Sequence, residues 1–253
     1  MLHGSRIAVV VPAYNEARHI AATLAGMPSY VDDVIVVDDA STDDTAARAQ
    51  AYADARVRVV RHQLNRGVGG ALKTGYRAAF NAGADAVAVM AGDNQMHADD
   101  LPALLAPVIS GEADYTKGDR LSHADVRGRM PLTRFVGNHV LSLLTRWCTG
   151  VRVRDSQCGY TVLGRKAALS LALDTLWEGY GYPNDLIAAL ARSGFVVRDV
   201  VVRPVYADEI SGIGLRHALV VIPFLLLRAL ARRFTWLGVR DGEREEGRLE
   251  NVR

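Results

Sequence analysis

Short apolar runs alternate with helical patterns through the first half of the chain. Runs at 6–12, 34–38, 57–61, 86–90 and 115–117 have the length of strands, and apolar spacing over 16–27, 43–53, 69–81 and 99–109 predicts helices between them. Val34-Ile-Val-Val37 has no polar alternation, the pattern of a strand covered on both faces, as in a parallel sheet. The repeated strand–helix order predicts an α/β doubly wound fold, a mostly parallel sheet flanked by helices. Ser41 or Thr42 is expected to cap the second helix, with Asp43 and Asp44 in its first turn.

Beyond Ser122 the pattern loosens. It predicts a basic loop at 127–130, an amphipathic helix over 131–147, a polar turn at 155–160, a helix near 183–192 and a strand near 196–202. No linker composition separates the halves, so one domain is expected over 1–234, with 6–120 and 121–214 as its two sides. Residues 218–227 are uninterruptedly apolar, about half of what a spanning helix needs. Arginines border the run, so 215–234 reads as an amphipathic helix in a membrane interface, or as a core helix edged by solvated charge. The tail 240–253 is mostly charge and glycine and is expected to be disordered.

Composition narrows the class. The 253 residues suffice for one large core, and a net charge of +2 gives no reason to expect a nucleic-acid surface. Cys148 and Cys158 lack metal spacing and read as free thiols of a cytosolic chain. The histidines never fall three or four apart, so no histidine metal site is expected. Met1 to Ser5 is too short for a secretory leader before the first strand.

Two apolar runs stop abruptly at carboxylates. Val34-Ile-Val-Val-Asp-Asp-Ala-Ser-Thr-Asp-Asp-Thr45 delivers Asp38 and Asp39, and Met90-Ala-Gly-Asp-Asn-Gln-Met96 delivers Asp93. In parallel sheets ligands bind outside the carboxyl ends of strands, so these acids fall where a nucleotide and its metal would lie. Pro12 and Tyr14 offer a rigid turn and a flat face for a base. Asp39 can accept from a base N–H, and Asp38 or Glu16 can hold ribose hydroxyls; the bland alternative is a polar turn and helix cap. Asp93, with Gln95 beside it, offers oxygen to a hard divalent cation. The glycines of Asn65-Arg-Gly-Val-Gly-Gly-Ala-Leu-Lys-Thr74 fit neither a P-loop nor a dinucleotide fingerprint, because Leu72 stands where each needs glycine.

Val11-Pro-Ala-Tyr-Asn-Glu16, the Asp38–Thr45 run, Asn65-Arg-Gly67 and Gly92-Asp-Asn-Gln95, in that order, resemble glycosyltransferase family 2. Within it they resemble the polyprenyl- and dolichyl-phosphate sugar transferases, over about 7–234. The resemblance implies a GT-A (Rossmann-like) fold, a nucleotide diphosphate sugar donor (a UDP-hexose or GDP-mannose), magnesium or manganese, inversion at the anomeric carbon and a lipid phosphate acceptor. It implies donor contacts from Pro12, Ala13, Tyr14, Glu16, Asp38, Asp39, Arg66, Gly67, Asp93 and Gln95, with Gly67 to Gly70 allowing close backbone approach. Asp93 and Gln95 are the implied metal residues. Ala91 stands where the mannose synthase pattern has its first acid, which puts metal affinity in doubt.

The same resemblance assigns Arg120, Arg134 and Asn138 to the acceptor phosphate, which guanidinium forks suit. Asp155-Ser-Gln-Cys-Gly-Tyr160 resembles a segment of the glucosyltransferases, which turns Asp155 and Gln157 toward sugar or acceptor. Asp155 is read as positioning first and base second, because a phosphate acceptor is already anionic. Asp185 takes the acidic position of a later helix, and Glu209 with Ser211 matches a loop over the diphosphate. The expected activity is hexose transfer to a polyprenyl phosphate, by a protein held peripherally at the cytoplasmic face of the membrane. A soluble acceptor, or a non-catalytic nucleotide-sugar binder, is the alternative.

Overall fold

The computed structural model describes residues 1–205, 220–231 and 233. Four parallel strands come first: β1 (Ile7–Ala13), β2 (Asp33–Asp38), β3 (Val57–Arg61) and β4 (Ala86–Val89). Between them lie α1 (Ile20–Ala25), α2 (Thr45–Gln50) and α3 (Gly67–Asn81). Then follow α4 (Leu101–Ile109), β5 (Tyr115–Asp119), α5 (Val126–Arg129), α6 (Leu132–Thr149), β6 (Thr161–Gly164), α7 (Arg165–Ser170), α8 (Tyr182–Arg192) and β7 (Val197–Val201). The sheet order is β3-β2-β1-β4-β6-β5-β7.

Among the described strands, only β6 runs against its neighbours, pairing antiparallel with β4 and β5. This has a functional consequence. The carboxyl ends of β1, β2, β4 and β5 share one sheet edge, and the segment that enters β6, residues 155–160, reaches the same edge from the other direction. The sequence pattern misses β6, because four residues behind a polar glycine turn show too little periodicity.

Every residue of β1 and β2 is buried. Ile7, Val9 and Val11 pack with Leu24 of α1 and Leu104 of α4, while Ala8 and Val10 pack with Leu72 and Tyr76 of α3 and Leu186 of α8. That alternation confirms a sheet covered on both sides. Gly75 lets α3 lie directly on β1, since a Cβ there would stand 2.2 Å from a Val10 methyl.

Local predictions need three corrections. The first helix begins at Ile20 rather than at Glu16: after Asn15, whose backbone is left-handed (φ 58°), residues 17–19 form a turn before the helix. Ser41 and Thr42 do not cap α2. The Ser41 hydroxyl accepts from Asn15 N–H at 3.0 Å, and Thr42 N–H donates to the Asn15 side-chain oxygen at 2.9 Å, so both tie two loops together. The basic stretch 127–130 falls largely within the short helix α5.

Residues 220–231 are helical. Ile222, Leu226 and Leu230 pack on Cys148 and Leu141 of α6. No helix among the described residues is long and apolar enough to cross a membrane. The remainder of the predicted 215–234 helix, Glu209, Ser211 and the 240–253 tail lie outside the described residues.

Candidate active site

The edge at the carboxyl ends of the strands carries the chemistry. Three strand ends pass through left-handed backbone there: Asn15 after β1, Ala40 after β2 and Asn94 after β4. Ala40 lacks the polar side chain that eases such a conformation, which costs on the order of 1 kcal/mol. Asn15 and Asn94 carry that side chain, so the strain falls on Ala40, next to Asp38 and Asp39 at the end of β2.

Asp38 is fully buried, and neither carboxylate oxygen forms a hydrogen bond among the described residues. Arg61 Nε stands 3.1 Å from one of them, an ion-pair contact from a largely exposed side chain. Its neighbour Asp39 is fully committed. Oδ1 accepts from His62 Nδ1 at 2.6 Å and from Arg66 N–H at 2.9 Å, and Oδ2 accepts from Gly67 N–H at 2.7 Å. A carboxylate only accepts, so His62 Nδ1 carries a proton, while Nε2 meets the Thr74 hydroxyl at 2.9 Å. In this structure Asp39 thus anchors the entry to α3, with Oδ2 accepting a single bond. Tyr14 is half exposed at the same edge, beyond buried Pro12 and Ala13.

Asp93 lies just beyond β4. Gln95 N–H donates to its Oδ1 at 3.0 Å. Burial raises its carboxyl above the ordinary range, against the pull of that bond and of His19. No group of three metal-ligating side chains occurs among the described residues. Asp93 can supply one anionic oxygen to a cation, with a ligand completing the shell.

The glycines at the start of α3 serve the fold as well. A Cβ on Gly69 would meet the Trp177 carbonyl at 2.1 Å, and one on Gly67 would meet the Glu178 carbonyl at 2.8 Å. The close backbone approach they permit in this structure is that of segment 177–179. Arg66 and Lys73 hold Glu178 at 2.7 and 3.2 Å, and those bonds lower its carboxyl. The segment presents Tyr180 near the donor acids: burial, then the Glu16 and Asp93 charges, raise its phenol. Sequence reasoning missed Tyr180 and Glu178, although the aromatic and glycine run Trp177-Glu-Gly-Tyr-Gly-Tyr182 offered a signal.

On the other side, Asp155 is fully buried and paired with Arg120 by two side-chain bonds, Nε to Oδ2 at 2.7 Å and a terminal nitrogen to Oδ1 at 3.1 Å. Burial opposes its charge, yet Arg120 and Lys117 outweigh burial and hold the carboxyl below its usual range. The two residues assigned separately to acceptor phosphate and to sugar are therefore partners of each other. Lys117 is also fully buried, donates to the Cys158 carbonyl and stands opposite Asp199 in the β5–β7 ladder. Burial lowers its ammonium pKa, and burial with Asp119 nearby raises Asp199 to about 6.

Gln157 reaches the Ser156 hydroxyl at 2.9 Å and Asn184 at 3.5 Å. Arg134 and Asn138 are half-buried, four residues apart on α6, and Asn138 Nδ2 contacts Met130 Sδ at 3.9 Å. Asp185 does not face open space. Its Oδ1 pairs with Arg228 at 2.5 Å and its Oδ2 accepts from Trp177 N–H at 2.9 Å, so it ties helix 220–231 to the Tyr180 segment.

Residues 8–170 match the model of Glycosyl transferase family 2. The UDP-N-acetylglucosamine–dolichyl-phosphate N-acetylglucosaminyltransferase of Methanococcus voltae is 27% identical, over 80% of this chain and 86% of its own. The undecaprenyl-phosphate mannosyltransferase of Micrococcus luteus is 31% identical, over 75% and 79%. Among solved structures, glucosyl-3-phosphoglycerate synthase from Mycobacterium tuberculosis, in complex with phosphoglyceric acid, has a TM-score of 0.70 at 25% identity, covering 90% of this chain and 81% of that one. The same enzyme has been solved with Mn2+, UDP and its product at a TM-score of 0.69.

Proposed function

The chain belongs to glycosyltransferase family 2, and on that premise we propose that it moves a hexose from a nucleotide diphosphate sugar to a polyprenyl phosphate at the cytoplasmic face of a membrane. One observation carries the reading: acids and cations from different strands meet at one sheet edge. Asp38 ends β2, Asp93 follows β4, Arg120 follows β5 and Asp155 precedes β6. Relatives named for dolichyl and undecaprenyl phosphate, matched over most of both chains, support the lipid acceptor.

In this reading the base rests near Tyr14, and the Asp38 carboxylate, paired with Arg61, accepts from donor hydroxyls. Asp93, with Gln95 beside it, would hold a magnesium or manganese ion, which would supply charge neutralisation for the leaving diphosphate. Arg134 and Asn138 bind the acceptor phosphate. Arg120, clamped by Asp155, adds positive field rather than a free fork. An acceptor phosphate oxygen forms the new bond to the anomeric carbon from the side opposite the nucleoside diphosphate, which leaves with the old bonding pair. The nucleophile is already anionic, so no strong base is required, and Asp155 keeps Arg120 in place.

A second reading has a specific support. The mycobacterial synthase, matched over most of its length, was solved with phosphoglyceric acid. A phosphate clamp accepts either a lipid or a small phosphorylated acid. The test is product mass after incubation with UDP-hexoses or GDP-mannose, magnesium or manganese, and either detergent-dissolved polyprenyl phosphate or phosphoglycerate. The expected product is a hexosyl polyprenyl phosphate, abolished by chelation and by Asp93→Asn in a chain whose circular dichroism is unchanged. Transfer to phosphoglycerate alone would replace the first reading with the second.

A further inference from the structure

Helix α6 is inside out. A helix on a protein surface ordinarily turns its apolar stripe inward, yet α6 buries Ser142, Thr145 and Thr149 with Cys148. The Ser142 hydroxyl accepts from Ser156 N–H at 2.9 Å, and the Thr145 hydroxyl donates to the Leu141 carbonyl at 2.8 Å and meets the Asn184 side chain at 3.1 Å. The opposite face shows Leu132, Val136, Val140, Leu143, Leu144 and Trp147 to solvent, with Leu132 at 75%, Leu143 at 62% and Trp147 at 65% exposure. Steps of three and four residues place them in one continuous stripe. The adjoining helix 220–231 likewise exposes Val220, Phe224 and Leu227.

Charge identifies the occupant. From Val126 to Arg154 there is no aspartate or glutamate, while Arg127, Arg129, Arg134, Arg146, Arg152 and Arg154 all fall within it. A groove of about 470 Å³ beside the stripe is lined by Leu121, Val140 and Leu143 together with Arg146 and Arg154. We infer that the outer face of α6 is a docking surface for an anionic lipid bilayer, with its apolar stripe in the acyl boundary and its arginines on lipid phosphates. A second copy is the poorer fit, because a two-fold contact through this face would bring like arginine sets together without an acid from the stretch to balance them. At 18 residues the helix is about 27 Å long, and it lies along the surface rather than across it. The inference rests on the lipid-phosphate reading of the site, which gives the enzyme its reason to sit there.

The test uses the full chain and vesicles of phosphatidylglycerol with phosphatidylcholine, free of polyprenyl phosphate. The protein should sediment with them, bind less to phosphatidylcholine alone and be released by salt. Val136→Ser/Val140→Ser/Leu143→Ser should cut vesicle partition at least about ten-fold, because each change withdraws apolar area from the acyl boundary. These sites are half or more exposed, so the fold should survive. As a separate readout, acyl chains brominated near the headgroup should quench the tryptophan emission, and Trp147→Phe should remove most of that quenching. Absence of vesicle binding, or a self-association on ultracentrifugation that Leu143→Glu abolishes, would overturn the inference in favour of no partner or of a second copy. Transfer to detergent-dissolved polyprenyl phosphate tests the acceptor separately, so either reading can fail while the other stands.

Discussion

Asp39 shows how much one side chain can hold at the sheet edge. Its two oxygens accept from His62, Arg66 N–H and Gly67 N–H, all within a nearly buried pocket. Truncation would strand several donors, each at roughly 1–3 kcal/mol. Asp39→Ala should therefore lower the unfolding free energy by about 3 kcal/mol, read by urea denaturation, and Asp39→Asn should lower it less because the amide oxygen still accepts. Wild-type stability in the alanine variant would mean that other contacts hold residues 62–67. Its place at a strand end was legible in Val34–Asp39, because a run of buried residues announces where it stops. Its commitment to His62 and Gly67 was not legible, because those partners come from another loop that only the fold brings near. Asp93 was easier to read: its Oδ1 accepts from Gln95 N–H, only two residues along.

At the scale of elements, the Gly69 contact joins helix α3 to the Tyr180 segment. A methyl there would stand 2.1 Å from the Trp177 carbonyl, backbone against backbone, with no flexible side chain to yield. Gly69→Ala should cost about 2 kcal/mol, in the range for overpacking, and lower the thermal midpoint. Gly137→Ala on α6 is the control, since a Cβ there meets nothing within 4 Å; it should gain roughly 0.5–1 kcal/mol from helix propensity. Equal midpoints for both variants would refute the close packing. Strands β1 to β3 were legible nearly to the residue, for each is rich in β-branched residues. Strand β6 and the inverted polarity of α6 were not. The first is too short to show a period, and the second is legible only when the buried face is known.

Across the whole molecule, β5, β7 and the 155–160 segment enclose a charged cluster of Lys117, Asp119, Asp155 and Asp199 that no local pattern foretold. Two of its acids act in opposite directions with pH. The Asp155 carboxyl is held low, so its contribution is present above the unfolded value and lost as pH falls through the folded one. Asp199 is the reverse. Burial, with Asp119 adding repulsion against the pull of Lys117 and Arg154, raises it from 3.8 to about 6. Between those values the native state keeps a proton that the unfolded chain releases, so stability falls as pH rises through the window. Asp199→Asn removes the proton dependence while its amide oxygen can still accept from Arg154 N–H, now bonded at 2.8 Å. Allowing for partial solvent exposure, the variant should gain about 1 kcal/mol at neutral pH, relative to its difference from the native chain near the ordinary aspartate pKa. Urea unfolding of both chains across the window reads this directly. A difference that does not grow with pH would show that the Asp199 carboxyl is not raised, and that Lys117 neutralises it after all.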